Sequence, residues 1–214
     1  MQFADRTRPE ILCLGAHSDD LEIGSGATIL QLATRYPSAR IHWVVFSGVG
    51  DRKAEAEQSA RYFTGGFAAS TIDVHAFRDG HFPYEGVDIK AVFESLKQRT
   101  NPDVVFTHLR DDRHQDHRLI SDFAWQTFRN HFILEYEIPK YDGDFGSPSH
   151  FVAVTDACKD AKLDALERYF CTQRDKSWFT RETFVAAMRI RGIECRSASG
   201  YAEAFYCRKT VLDL

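Results

Sequence analysis

Ile11-Leu12-Cys13-Leu14-Gly15-Ala16-His17-Ser18-Asp19-Asp20-Leu21-Glu22-Ile23-Gly24 changes character twice within one short stretch. The first four residues are a continuous apolar run, as expected for a short strand buried on both faces. Gly15 to Asp20 is polar and turn-rich. From about Glu22 to Tyr36 apolar residues return at helical spacing, with Ile23, Ala27, Leu30 and Ala33 on roughly one face. Strand, polar crossing and helix together make the first unit of a βα repeat.

The same alternation continues downstream. Ile41 to Phe46 reads as a second buried strand, and Asp51 is placed to cap a helix that runs to the Gly65-Gly66 breaker. Ile72 to Ala76 is a third strand, Val87 to Lys97 a helix, and Val104 to Thr107 a fourth strand after the Asn101-Pro102 break. A helix is expected from Asp116 to about Arg129 and a strand over Phe132 to Tyr136. Beyond these, the pattern predicts a strand over Phe151 to Val154, helices over Ala157 to Phe170 and Thr180 to Arg191, and a closing strand over Glu203 to Cys207. The expected fold is α/β and Rossmann-like: three layers around a mostly parallel sheet, with a C-terminal elaboration. In a doubly wound order the first and fourth strands are neighbours where the strand order reverses, and such sheets bind ligands there. The two most polar, histidine-rich loops of the chain follow those two strands.

Composition narrows the function. At 214 residues the chain suits one domain, with a core over about 8–135 and the elaboration over about 136–214. A formal net charge of -4 gives no broad basic surface, so nucleic acid is not an expected partner. No apolar run is long enough for a transmembrane segment, and the start lacks a secretory pattern, so a cytoplasmic location is expected. Cys13, Cys158, Cys171, Cys195 and Cys207 are odd in number and include no CxxC pair, which argues against a disulfide framework or a thiolate zinc knot.

His17, Asp20 and His117 form the expected metal site. Two imidazoles and a carboxylate are a normal catalytic zinc complement with a fourth position open, although the same donors suit other divalent ions. Asp19, beside these ligands, is the candidate general base for water attacking a polarised carbonyl. His114 is placed to give a proton to a leaving amine, with Asp116 hydrogen-bonded to its ring. Each motif has a plainer reading. Asp-Asp after a strand can be a turn or cap, and His-x-Asp-His a solvated helix start capped by Asp116. Their placement at the ends of two strands expected to be adjacent favours the metal site.

His17-Ser18-Asp19-Asp20-Leu21-Glu22-Ile23-Gly24, followed by His114-Gln115-Asp116-His117-Arg118, resembles the PIG-L/LmbE family of zinc-dependent N-acetylglucosaminyl deacetylases. The resemblance covers most of the first 135 residues and weakens afterwards. It implies zinc on His17, Asp20 and His117, Asp19 as base, and His114 assisting the tetrahedral intermediate with Asp116 in support. Ser18 stands where the family usually has proline, which bears on the stiffness of the loop. Arg52 and Glu55 match an Arg and Glu that the family tends to carry after the second strand, so they are candidates for holding a sugar; a surface salt pair is the alternative.

Other candidates for substrate contact are His81, in a loop able to roof the site, and Tyr141 and Asp142, in the Gly/Pro/Asp loop of 137–149. Glu203, on the last strand, is a further one. Trp178 can stack on a sugar or pack in the core, and His108 and Asp112 can support the site or serve structure alone. The expected reaction is zinc-dependent removal of an N-acetyl group from an amino sugar, free or linked to a nucleotide, lipid or glycan. The competing readings are a zinc amidase for a non-sugar N-acyl compound and a non-catalytic sugar- or nucleotide-binding protein. The partner is a small molecule, and a homo-oligomer is compatible with everything in the sequence.

Overall fold

The structure, a computed structural model, describes residues 8–210. Seven strands form one sheet: β1 (Glu10–His17), β2 (Arg40–Ser47), β3 (Ala69–Val74), β4 (Val104–His108), β5 (Phe132–Tyr136), β6 (His150–Ala153) and β7 (Ala202–Tyr206). The α-helices among the described residues are α1 (Asp20–Arg35), α2 (Asp51–Thr64), α3 (Gly86–Arg99), α4 (Gln115–Thr127), α5 (Asp156–Tyr169) and α6 (Arg181–Glu194). The strand order is β3-β2-β1-β4-β5-β7-β6. β1 to β5 run parallel, and β7 enters antiparallel between β5 and β6.

Successive side chains of a strand point to opposite faces, and this period sorts the core into two layers. Ile11 and Cys13 of β1 join Ile41, Trp43 and Val45 of β2 against Ile23, Ala27, Phe63 and Leu166 of α1, α2 and α5. Leu12, Leu14 and Ala16 join Val44 and Phe46 against Ile89 and Phe93 of α3 and Ile120 and Ala124 of α4. With both faces covered, β1 must be apolar throughout, which is why it reads as a run rather than an alternation. Each fully buried Leu on it contributes about 1.5–3 kcal/mol.

The register pairs Ile11 with Val104 and Cys13 with Phe106, so β1 and β4 are neighbours and the order reverses between them. Their carboxyl ends, and the loops into α1 and α4, therefore emerge side by side. One expected detail differs. Gly50, at φ 57°, takes the N-cap position of α2, and Asp51 is the first helical residue. That left-handed conformation suits glycine, which has no Cβ to clash. All five cysteines are free.

Candidate metal centre and active site

β1 delivers His17 as its last residue, and α1 begins three positions later with Asp20. The Asp20 carboxylate turns back and accepts the His17 N–H at 2.6 Å, fixing both residues on one side of the turn. Ser18 is fully buried, and its hydroxyl donates to the Ser47 carbonyl at 3.2 Å. This tie to the end of β2 holds the loop where a proline is usual in the family it resembles.

The β4–α4 loop is organised by Asp112. Its Oδ1 accepts the His114 N–H at 2.7 Å, and its Oδ2 faces His117 Nδ1 at 3.0 Å and Lys140 Nζ at 2.9 Å. A carboxylate on Nδ1 fixes the ring and leaves the His117 Nε2 lone pair free. His17 is the mirror case. Its Nε2 lies 3.1 Å from Asp79 Oδ1 and 3.3 Å from Asp116 Oδ2, which leaves Nδ1 free.

Those free atoms converge. His17 Nδ1 is 3.2 Å from His117 Nε2 and 3.3 Å from Asp20 Oδ2, and His117 Nε2 is 3.5 Å from Asp20 Oδ2. Tetrahedral zinc with bonds of about 2.0–2.1 Å would set its ligand atoms about 3.3–3.4 Å apart. The cluster of histidine and aspartate atoms is thus geometrically consistent with a divalent metal site, and the carboxylates behind both rings complete the fit. Other close groupings at the same place are His17, His114 and His117, and Asp20, His108 and His117. His108 Nε2 lies 3.2 Å from Asp20 Oδ2, and its ring stacks on His117 at 4.0 Å.

Burial and charge shape these groups together. Burial alone would raise the Asp20 carboxyl, but the His117, His108 and His17 rings hold it well below its ordinary range. Burial likewise opposes ionisation of Asp112, where the hydrogen bond from His117 and the charge of Lys140 prevail and hold it low. Burial would lower His17, and Asp20, Asp116 and Asp79 outweigh it and raise the ring well above its usual value. The His17 hydrogen bond brings Asp79 down to about 2. Burial and the neighbouring His117 and His17 rings lower His114. Burial, then His108, lowers His117.

A cavity of about 300 Å³ opens over this cluster. His17, Asp19, Asp20, His114 and His117 form its floor, and Arg52, Tyr141 and Asp142 stand around it. Arg52 donates to Asp19 Oδ1 at 2.8 Å, while its buried Nη1 has no protein partner. Tyr141 is exposed, with its hydroxyl 3.1 Å from Ser177 Oγ. Asp116 lies buried beneath the floor.

The expected support of the His114 ring by the Asp116 carboxylate is replaced by another arrangement. Asp116 Oδ2 accepts the Gly80 N–H at 2.6 Å and Oδ1 the Phe82 N–H at 3.2 Å, so the carboxylate anchors the loop after β3. His114 Nδ1 instead accepts the Asp116 backbone N–H at 3.3 Å as the N-cap of α4. Three other candidates lie away from the cavity. Glu55 accepts from the Thr172 N–H at 2.8 Å and the Thr172 hydroxyl at 2.6 Å. Glu203 is given to α1 and Lys162. His81 holds Nδ1 at 3.0 Å from the Asp79 carbonyl and sets its ring against Tyr84.

The sequence reading passed over Asp79, Lys140 and Lys176, all of which line the cavity. Asp79 stands two residues from His81, in the loop that was singled out, so the signal pointed at the right loop and the wrong side chain. Trp178 lines the cavity and packs edge-on against Phe179 at 5.6 Å.

Comparison with known proteins adds a family. The model described as PIG-L, GlcNAc-PI de-N-acetylase, matches residues 12–128. The uncharacterised deacetylase YaiS of Escherichia coli is 31% identical over 175 residues, spanning 76% of this chain and 91% of its own. Among solved structures, the N,N'-diacetylchitobiose deacetylase of Pyrococcus horikoshii aligns with a TM-score of 0.69 at 23% identity, over 92% of this chain and 83% of that one. The 4-carboxy-2-hydroxymuconate hydratase GalB of Pseudomonas putida aligns with a TM-score of 0.75 at 16% identity, over 96% and 98%. At those identities both structures speak for the fold alone, a scaffold that carries a hydratase as well as a deacetylase.

Proposed function

The chain belongs to the PIG-L family and is a zinc-dependent deacetylase, and on that premise we propose that it removes the N-acetyl group of an amino sugar or of a nucleotide-, lipid- or glycan-linked conjugate. The observation that carries this reading is the convergence of His17 Nδ1, Asp20 Oδ2 and His117 Nε2 within 3.2–3.5 Å, with Asp19 beside them on the cavity floor. These three residues would hold the metal, which supplies a lowered water pKa and a polarised carbonyl when bound.

The protein's own groups do the rest. Asp19 has one oxygen fixed by Arg52, so the carboxylate is oriented to take a proton from the attacking water. Because His114 Nδ1 accepts a backbone N–H, Nε2 carries the ring proton and is the donor that this cavity-lining residue can offer. It donates a hydrogen bond to the oxyanion of the tetrahedral intermediate, and the proton that Asp19 takes from the water passes to the departing amine. Asp112 and Asp116 keep the His117 and His17 rings in the tautomers that point the free nitrogens inward.

The cavity suits a sugar. A hexose offers hydroxyls in a ring and a weakly apolar face. Exposed Asp79, Tyr141 and Asp142 supply donors and acceptors beside Arg52, and Trp178 supplies a flat wall.

The test is acetate release by metal-free protein restored with one equivalent of zinc. The panel is N-acetylglucosamine, its nucleotide- and lipid-linked forms, and simple N-acetyl amino acids. Zinc-dependent acetate from a sugar member is expected. Release only from the amino acids would move the reading to a non-sugar amidase. Tight zinc without acetate from any member would sink the acetyl-sugar reading, and a hydration assay on an unsaturated carboxylic acid would then be the next probe, given the fold likeness to the hydratase.

A further inference from the structure

Outside the cavity, Lys162 on α5 and Glu203 on β7 form a buried ion pair, 2% and 4% exposed. Lys162 Nζ donates to Glu203 Oε1 at 2.6 Å and to the Ile23 carbonyl of α1 at 2.6 Å. Glu203 accepts the Ala27 N–H at 3.0 Å on Oε1 and the Thr28 N–H at 2.7 Å on Oε2. Ile23 C=O and Ala27 N–H are four residues apart, so they are one rung of the helical ladder. The ion pair is bonded to both ends of that rung, within the continuous helix α1.

The surroundings are packed closely around this contact. Gly24, Ser25 and Gly26 fill the turn inside the rung. A Cβ on Gly24 would come 2.2 Å from the Tyr136 ring, and one on Gly26 would come 2.9 Å from Phe63. Tyr136 in turn donates to the Leu14 carbonyl at 2.8 Å and lies 3.1 Å from His108 Nε2, which touches Asp20. The link to the metal floor is one residue long. Ile23 N–H donates to the Asp19 carbonyl at 3.0 Å, and Ile23 C=O accepts from Lys162.

We propose that Lys162 and Glu203 are positioning residues which, by holding the Ile23–Thr28 turn of α1, set the first turn of that helix and with it Asp19 and Asp20. A buried charge pair is costly to desolvate, and a hydrophobic pair of similar volume often serves stability as well. Here both charges are spent on backbone groups of the helix that carries a ligand and the base. The elaboration beyond residue 136 thus reaches the metal floor from behind, through the strand and helix that it adds. The inference rests on the reading of Asp20 as a ligand.

The test compares the wild type with Glu203→Asp, which keeps the charge and shortens its reach by one methylene, and with the double variant Lys162→Met/Glu203→Gln, which leaves no unpaired charge. Three quantities are read: amide hydrogen exchange, zinc affinity by chelator competition, and the split of kcat from KM. In the double variant the amides of Leu21 to Thr28 are expected to exchange at least about tenfold faster while those of α4 keep their protection. Zinc affinity should fall about 10–100-fold, as for a lost ligand-orienting contact, and kcat should fall with KM unchanged. Glu203→Asp should lie between the two. Unchanged α1 exchange and zinc affinity would overturn the proposal. So would exchange rising equally in α4 and β1, or failure of both variants to fold, since each marks a pair that serves global stability. Should the wild type itself bind no zinc, the ligand reading fails, and the exchange data alone decide whether the pair sets the turn.

Discussion

The floor of the cavity and its wall are held by different kinds of contact. On the floor, each loop is ordered by bonds between near neighbours: Asp20 to the His17 amide, Asp112 to the His114 amide and the His117 ring, the Asp116 amide to His114. The wall over 137–149 is held from afar. Arg191 on α6 grips Glu137 at 2.7 Å, Tyr206 on β7 donates to Glu137 at 2.6 Å, and Lys140 reaches Asp112 and Asp144. Local bonds set the geometry within each floor loop, as metal ligation and proton transfer require, while the Lys162–Glu203 pair holds α1 behind them. The ties on Glu137 do not touch the ligand-bearing loops, so apart from Lys140 and Asp144, which bond the β4–α4 loop, the wall can vary without disturbing those ligands, which is how one scaffold serves many substrates. Floor variants should therefore change metal content or kcat, and wall variants KM.

The largest effects should come from two adjacent floor residues that fail in different ways. His17→Ala should lose zinc and all zinc-dependent turnover. Asp19→Asn can still accept from Arg52, so zinc stoichiometry by elemental analysis should stay near one per chain while kcat falls about 10²–10⁴-fold. Zinc loss in Asp19→Asn matching that in His17→Ala would remove Asp19 from the role of base. His114→Ala comes next, with zinc retained and kcat down about 10²-fold on an unactivated amide. A fall smaller than twofold would take His114 out of the chemistry.

A smaller effect is expected one contact behind the ligands. Asp112→Asn keeps the shape of the side chain but weakens its hold on His117 Nδ1. Zinc affinity should drop about 10–100-fold by chelator competition, with kcat at saturating zinc reduced far less. Unaltered affinity would mean that packing against His108 alone fixes the His117 ring.

The same division explains what could be read from the chain. β1, β4 and their adjacency were legible because burial on both faces leaves an apolar run, and the reversal of strand order follows from the βα alternation. His17, Asp19, Asp20, His114 and His117 stood out because their spacing is local. Asp116 was legible as a site residue but not in its partner: the loop bearing Gly80 and Phe82 folds onto it from 34 positions away or more, and no local pattern announces that. Glu55 and Glu203 carry the charge of sugar-binding groups, yet the Thr172 turn and α1 take them, a choice made by elements that arrive more than a hundred positions later or earlier. Asp79, Lys140 and Lys176 were passed over for the same reason. Asp79 meets His17 across 62 positions, and Lys140 and Lys176 reach the cavity only once the C-terminal elaboration has docked.

Trp178 gives the finest test of the division, with the smallest expected effect. It is half-buried, its ring is edge-on to Phe179, and Lys176 Nζ sits 5.7 Å from its centre, so the ring is held in place before any substrate arrives. A pre-positioned aromatic face pays little entropy on binding a sugar, and its loss should cost about 0.5–1.5 kcal/mol, or roughly 2–13-fold in KM. Trp178→Leu keeps much of the apolar packing and removes the flat face, so a rise in KM with kcat and zinc content unchanged is the expected result. A fall in kcat with zinc intact would show the wall reaching the reacting atoms, and the separation of floor from wall would fail. An unchanged KM on a substrate that the protein does turn over would return Trp178 to packing alone, leaving Arg52, Asp79 and the 137–149 loop to choose the substrate.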